Sequence, residues 1–353
     1  MIEPAATEVE TRELIQRMAR RWSLGRFVTL RGELEQQFCP ELPDAVFREL
    51  AEHGWLPTTA AELSDWSPPM LARLGQSLGQ DAGAAFVTVL THVVAAQLRS
   101  VFDTEPNIRG DIPLFAASPF WEFSGVSHPT VASRDGKLIL EGTLPLVLNA
   151  RLASLFLVPA VDEAGQRVVC ALEPGAPGMS LSGPTPMLGL RGAPAVHVSF
   201  ASTPIEEERS VITGEAAASV LRTATQSLAW GSVGLLGGIV AKACDEAMDY
   251  ARLRKQGGRR ILDHSPVARM AVSMQAAHLA FNAWLDRLDR DDSKSPAPLA
   301  EARRLAISAT DEALQIFGGI GYMCPGVAER CWRDARQAAA LCSRTAISRS
   351  YVS

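Results

Sequence analysis

Apolar positions along the chain change their period twice. Val9, Leu14, Ile15, Met18 and Trp22 recur at helical spacing, Val46, Phe47, Leu50 and Ala51 do so again after Pro43, and the run from Ala82 to Ser100 is apolar almost all round. Residues 1–110 therefore read as an N-terminal helical domain with the 82–100 helix at its centre. The lone His92 inside that helix reads as a satisfied core or interface histidine rather than a ligand. Over 111–210 short β-branched or apolar runs, GKLILEG, LASLFLVPA, RVVCALE and AVHVSFAS, alternate with turn signals at Asp135-Gly136, Glu163-Ala164-Gly165 and Pro174-Gly175. That spacing predicts a small antiparallel barrel or sandwich. Over 211–353 the helical period returns. One long helix is expected from about Ala216 to Arg254. A second opens at Ser265-Pro266, with Met270, Met274, Phe281 and Leu285 on one stripe, and after a polar linker at 289–298 a third stops at Gly318-Gly319. The expected fold class is α+β: helices, a β domain, then a helical bundle.

Composition narrows the function classes. With 47% hydrophobic and 21% charged residues the chain is neither disordered nor a disulfide scaffold. A net charge of -5 supplies no general positive field, which argues against nucleic acid or a membrane surface as partner, so any anion site must be local. No unbroken run of 18 apolar residues is evident and the first residues are acidic, from which a cytoplasmic protein is expected. Six cysteines without paired spacing are expected to be reduced thiols, and Cys324 and Cys331 to be ordinary thiols rather than metal ligands.

Two features carry candidate chemistry. Arg254 and Lys255 end the long helix in a cluster with Arg252, Arg259 and Arg260. Such a cluster could hold a diphosphate by charge-assisted hydrogen bonds, or be a solvated basic helix end favoured by the macrodipole. Gln315-Ile316-Phe317-Gly318-Gly319 could be a simple C-cap, or a place where backbone approaches a cofactor closely. The segments DEAMDYARLRKQGG at 245–258, DEALQIFGGIGY at 311–322 and AERCWRDAR at 328–336 resemble, in order and spacing, the C-terminal domain of acyl-CoA dehydrogenases, and LGLRGAPAVHVSF at 188–200 resembles the strand entering that domain. The resemblance implies an N-terminal helical domain, a middle β-barrel domain and a C-terminal four-helix bundle, with FAD and an acyl-CoA thioester between them. It also implies that Arg254, Gln315, Gly318 and Gly319 bind the adenosine diphosphate half of an FAD belonging to a neighbouring subunit.

Departures from the family pattern sharpen the expectation. Flavin-dependent α,β-dehydrogenation needs a carboxylate to take the α-proton. The family's two base positions correspond here to Cys342 and to Leu228-Ala229, so no catalytic base is assigned. Cys342 itself reads as an unreactive thiol. The flavin-ring loop corresponds to Trp121–His128, where Glu122, Gly125 and Ser127 persist, Ser127 as a cofactor contact and His128 as a surface polar residue; the second ring segment, Leu146-Val147-Leu148-Asn149, keeps only its asparagine. The aromatic that normally follows the arginine is Gly257. What results resembles the base-lacking subunit of heteromeric acyl-CoA dehydrogenases, known from bacterial steroid side-chain degradation. Such a subunit completes the FAD site of a catalytic paralogue. The alternatives are a self-sufficient enzyme with a displaced base, for which Glu122 and Glu206 to Glu208 are candidates, and a flavin-free acyl-CoA-binding member.

Overall fold

The computed structural model describes residues 6–37, 41–102, 114–118, 128–205, 210–290 and 297–341. Five helices come first: α1 (Ala6–Gln36), α2 (Asp44–Glu52), α3 (Ala60–Leu63), α4 (Pro68–Leu78) and α5 (Gly83–Arg99). Eight strands follow: β1 (Phe115–Ala116), β2 (Thr130–Arg134), β3 (Lys137–Leu148), β4 (Leu155–Asp162), β5 (Arg167–Leu172), β6 (Met179–Leu181), β7 (Ala195–Ile205) and β8 (Val211–Ile212). The chain closes with α6 (Gly214–Leu253), a minimal hairpin of β9 (Lys255–Gln256) and β10 (Arg259–Arg260), then α7 (Ser265–Arg290), α8 (Leu299–Phe317) and α9 (Val327–Leu341).

The α+β class holds, but the expected barrel is not closed among the described residues. The sheet runs β6-β7-β3-β2-β4-β5-β8, with β1 also on β4, and its two end strands do not pair. It is mixed rather than antiparallel, because β2 and β1 both lie parallel to β4. The sheet has a core of its own around Leu140, Leu144, Phe156, Val158, Val198 and Phe200. A far larger core is shared by the helices from both ends of the chain. The face of α1 that enters it is only partly the one expected: Ile15 and Trp22 pack against it. Ala19, Ser23, Phe27, Leu30 and Leu34 are buried at intervals of three and four, whereas Leu14 and Met18 are exposed.

At the centre of the larger core lies α6. By length and apolarity it is the one described helix able to cross a membrane, contrary to the reading of the sequence, but 89% of its apolar window is buried inside the protein. What buries it is a backbone-to-backbone contact with α4. A Cβ on Gly238 would lie 2.5 Å from the carbonyl oxygen of Gln76, one on Gly79 would lie 2.6 Å from that of Leu235, and one on Gly234 would overlap the carbonyl of Ala72 outright. Glycine costs about 0.5–1 kcal/mol of helix propensity at each such position, and close packing of the two helices offsets it.

Helix α5, on α6's other flank, is buried at every position from Gly83 to Leu98. Its polar side chains are accordingly paired. Thr88 and Thr91 return hydrogen bonds to their own helix at Ala84 and Val87. His92 accepts the backbone N–H of Phe115 at Nδ1 (3.0 Å), so its proton sits on Nε2 and is donated to the carbonyl of Pro57 (2.8 Å). The ring stacks on Phe115. His92 thus ties α5 to the segment before α3 and to the first strand, the core role expected of it.

Two measurements test these contacts. Gly234→Ala gains about 1 kcal/mol of helix propensity but must displace a backbone carbonyl, a cost of about 1–3 kcal/mol or more, so urea unfolding is expected to show net destabilisation. Gly25→Ala on the open face of α1, where a new Cβ meets nothing within 4 Å, is expected to stabilise. Second, burial pushes the pKa of His92 down from 6.5 to about 4. The unfolded chain therefore binds a proton between pH 6.5 and 4 that the folded protein refuses. About 3 kcal/mol of stability should disappear as pH falls through that window, and the fall should be shallower in His92→Gln.

Candidate cofactor half-site at the end of the helical bundle

Helices α6 and α8 end side by side. The rings of Tyr250 and Phe317 stack at 4.5 Å with 18° between their planes, pinning together the last turns of the two helices. Arg254 caps α6 four residues after Tyr250, its backbone N–H donating to the Tyr250 carbonyl before the chain turns extended. Gly318 follows Phe317 at φ 65° and ψ -146°, a conformation essentially restricted to glycine. The stack therefore sets the end of α6, which Arg254 caps, beside the end of α8, which carries Gln315, Gly318 and Gly319. No signal in the sequence announced that Tyr250 and Phe317 would meet.

The cations around Arg254 are mostly spoken for. Arg252 pairs with Asp249, Arg260 is bidentate on Asp263, and Arg259 meets His264. Arg254, Lys255 and Gln315 are exposed, and among the described residues none has a side-chain partner. A Cβ placed on Gly318 or Gly319 would meet nothing within 4 Å, so open space lies over that backbone. A guanidinium at the end of α6, with an amide and accessible backbone at the neighbouring end of α8, suits an anionic, planar-faced group such as a nucleoside diphosphate. Gly257, where an aromatic was expected, has its own local cause. Gly257 and Gly258 take φ of 60° and 80° to make the two-residue turn between β9 and β10.

The motif Arg333-Asp334-Ala335 does a different task. Arg333 donates to Glu329 (2.6 Å) and Glu35 (2.9 Å), and Asp334 accepts the backbone N–H of Leu190 (2.6 Å). Asp81, buried between Lys242 and Arg330, extends the network to α6. Burial raises the Asp334 pKa even with Arg330 and Arg333 beside it, so the network is finely balanced against desolvation. Cys324 lies next to Glu35 and Glu329, but the cation between those carboxylates is the Arg333 guanidinium. Burial pushes the thiols of Cys170 and Cys244 up to about 12 and that of Cys331 to about 11, which keeps them protonated and unreactive.

Residues 211–342 match the family model of the acyl-CoA dehydrogenase C-terminal domain. Human mitochondrial short-chain specific acyl-CoA dehydrogenase is 30% identical over 229 residues, 60% of this chain and 54% of that protein. The chain is similar to the acyl-CoA dehydrogenases, and residues 211–342 carry the match to that family's C-terminal domain. The chain spans about half the length of the curated relatives it matches. Two solved structures share its fold along nearly the whole chain: the FAD complex of PigA, at TM-score 0.79, 17% identity and 97% coverage of both chains, and the Mycobacterium tuberculosis ChsE4-ChsE5 complex, at TM-score 0.74, 17% identity, 96% of this chain and 94% of that one.

Against the acyl-CoA dehydrogenase pattern, the other expected positions fare unequally. Cys342, Ser127, Glu122 and Glu206 to Glu208 lie outside the described residues. Leu228 packs against the larger core and Ala229 is buried in it. The stretch of α6 from 216 to 244 and all of α5 carry no Asp or Glu; the carboxylates of α6 are Glu215 in its first turn and Asp245, Glu246 and Asp249 in its last turns. Asn149, the one retained residue of its segment, has a structural reason to persist. It sits buried at φ 52° and donates to the Thr88 hydroxyl (2.8 Å), fastening β3 to α5. Just before it, a register shift between Leu144 and Val147 leaves Leu146 at φ 51°.

Gly318→Ala would force an alanine into a conformation disfavoured by about 1–3 kcal/mol. Chemical denaturation should report a loss of that size although the new methyl group meets no neighbour, and an unchanged midpoint would show that the helix end relaxes freely.

Proposed function

We propose that this chain is the cofactor-completing subunit of an FAD-dependent acyl-CoA dehydrogenase, paired with a catalytic paralogue that carries the base. The observation that carries this reading is that Arg254 and Gln315, exposed and without side-chain partners among the described residues, stand at the adjoining ends of α6 and α8 beside the open Gly318-Gly319 backbone. Around it stand large apolar side chains that no described residue covers: Leu253 at 81% exposure, Ile320 at 61% and Tyr322 at 64%. Such exposed apolar side chains beside charged groups are what a subunit contact buries. A diphosphate held there would have this chain on one side only, and the partner's cofactor loop would close the other.

Bound FAD supplies the hydride acceptor for α,β-dehydrogenation of an acyl-CoA thioester. This chain's share is to bind and orient. Arg254 would hold the diphosphate by paired N–H donors, the Gln315 amide and the glycine backbone would contact the adenosine half, and the α-proton would pass to a carboxylate of the partner, since the two positions where the resemblance places a base are Cys342 and Leu228-Ala229. The ChsE4-ChsE5 neighbour is a two-component complex on the same fold, which favours a paralogue as partner. Steroid side-chain thioesters, to which the sequence resemblance pointed, are the first substrates to test.

The experiment is coexpression with a paralogous acyl-CoA dehydrogenase chain and titration of FAD. One FAD per heterodimer is expected, and Arg254→Ala should weaken its binding about 10- to 100-fold with helix content unchanged. The isolated chain should be inactive with an artificial electron acceptor. Turnover by the chain alone, or one tightly held FAD per chain in a homo-oligomer, is the outcome that favours a self-sufficient enzyme with a displaced base. No FAD under any condition favours a flavin-free member.

A further inference from the structure

Along the contact of α1 with α4, arginines are of two kinds. Arg73 of α4 is clamped by Asp286 and Asp289 of α7, and Arg12 of α1 shares Asp289. Arg17, Arg20 and Arg21 have no carboxylate partner among the described residues. Together with Leu24 they fall on one stripe of α1, at intervals of three, one and three, and that stripe lines an open groove of about 680 Å³ against α4. The volume lies within the range of about 300–1,000 Å³ typical of small-molecule sites.

Three cations on one helix face repel each other. They sit in the middle of the 31-residue α1, so the helix dipole does not compensate them. Glu13 is the groove's one carboxylate. Two wall atoms are also orphaned: Nη1 of Arg20, a donor, and Oε1 of Gln80, an acceptor, are both shielded from solvent without a hydrogen-bond partner. Buried groups of this kind ordinarily find partners. Here one wants an acceptor and the other wants a donor, in the same groove.

We propose that the α1–α4 groove binds a small hydroxylated metabolite carrying a multiply charged oxyanion, phosphate or carboxylate. The oxyanion engages Arg17, Arg20 and Arg21, and the hydroxyl donates to Gln80 Oε1. Because the whole chain carries a net charge of -5, the attraction is local to the groove. The site is separate from the helix end around Arg254 and does not depend on the FAD reading.

Calorimetric titration of the full chain with citrate and with fructose 1,6-bisphosphate tests the proposal and separates the two oxyanion sources. At least one should bind, with affinity falling steeply as salt is raised. Arg20→Gln should weaken binding at least tenfold, the exposed Arg17→Gln should weaken it in the same direction, and Arg254→Ala should leave it unchanged. If citrate is the binder, tricarballylate, which lacks its hydroxyl, should bind about tenfold more weakly. Failure of both probes to bind at millimolar concentration would mean that a water bridges the two orphaned atoms and would overturn the proposal. So would equal affinity in Arg20→Gln, or loss of binding in Arg254→Ala, which would move the anion to the other site.

Discussion

Everything else in the structure is arranged around the flush contact of α4 with α6. Where side chains would normally hold two helices about 8–10 Å apart, glycines at 75, 79, 234 and 238 bring the backbones of α4 and α6 into direct contact, and Gly231 makes room for Leu90 of α5. That approach makes α6 the common wall of the N-terminal and C-terminal helices, which is why one core holds residues from both. With α6 fixed, its last turn can present Arg254 at a defined place. Tyr250 and Phe317 then determine which neighbour that arginine has.

The second constraint is electrostatic. Glu35, Asp81, Lys242, Glu329, Arg330, Arg333 and Asp334 come from α1, the α4–α5 connection, α6 and α9, and together they form a largely buried network. Breaking one partner of such a network leaves an uncompensated charge, which is strongly destabilising even where the whole network adds little. Its value is positional: it holds the segment entering β7 against α9 through the Leu190 N–H and the Arg333 bond to the Leu188 carbonyl. The residues most recognisable as a family motif are thus spent on alignment, whereas Arg254 and Gln315 are exposed and have no side-chain partner among the described residues.

Helices were legible in the sequence wherever the apolar period was long. The ends of α6 and α8 fall within two residues of the expected Arg254 and Gly318. Period alone could not say that β2 lies parallel to β4, because neighbour and direction are tertiary facts, and so a mixed sheet, not closed among the described residues, was read as a small antiparallel barrel or sandwich. Two-residue strands leave no period, so the β9–β10 hairpin showed only as Gly257 replacing an aromatic. The apolar residues of α1 misled because Leu14 and Met18 lie on its outer side, while small Ala19 and Ser23 face the core. At the site, residue types were readable but adjacency was not. It depends on an aromatic stack between positions 250 and 317.

The shared wall has a consequence for how this protein can be divided. The segment that matches the family model begins at residue 211, so a fragment cut there keeps α6 but loses the helix that seals its glycine face. Its partners α4 and α5, left behind, would present a continuous apolar surface to water. During synthesis the same dependence imposes an order: helices made early must wait more than a hundred residues for the wall against which they fold. Until then their apolar faces are available to each other, to chaperones and to other chains.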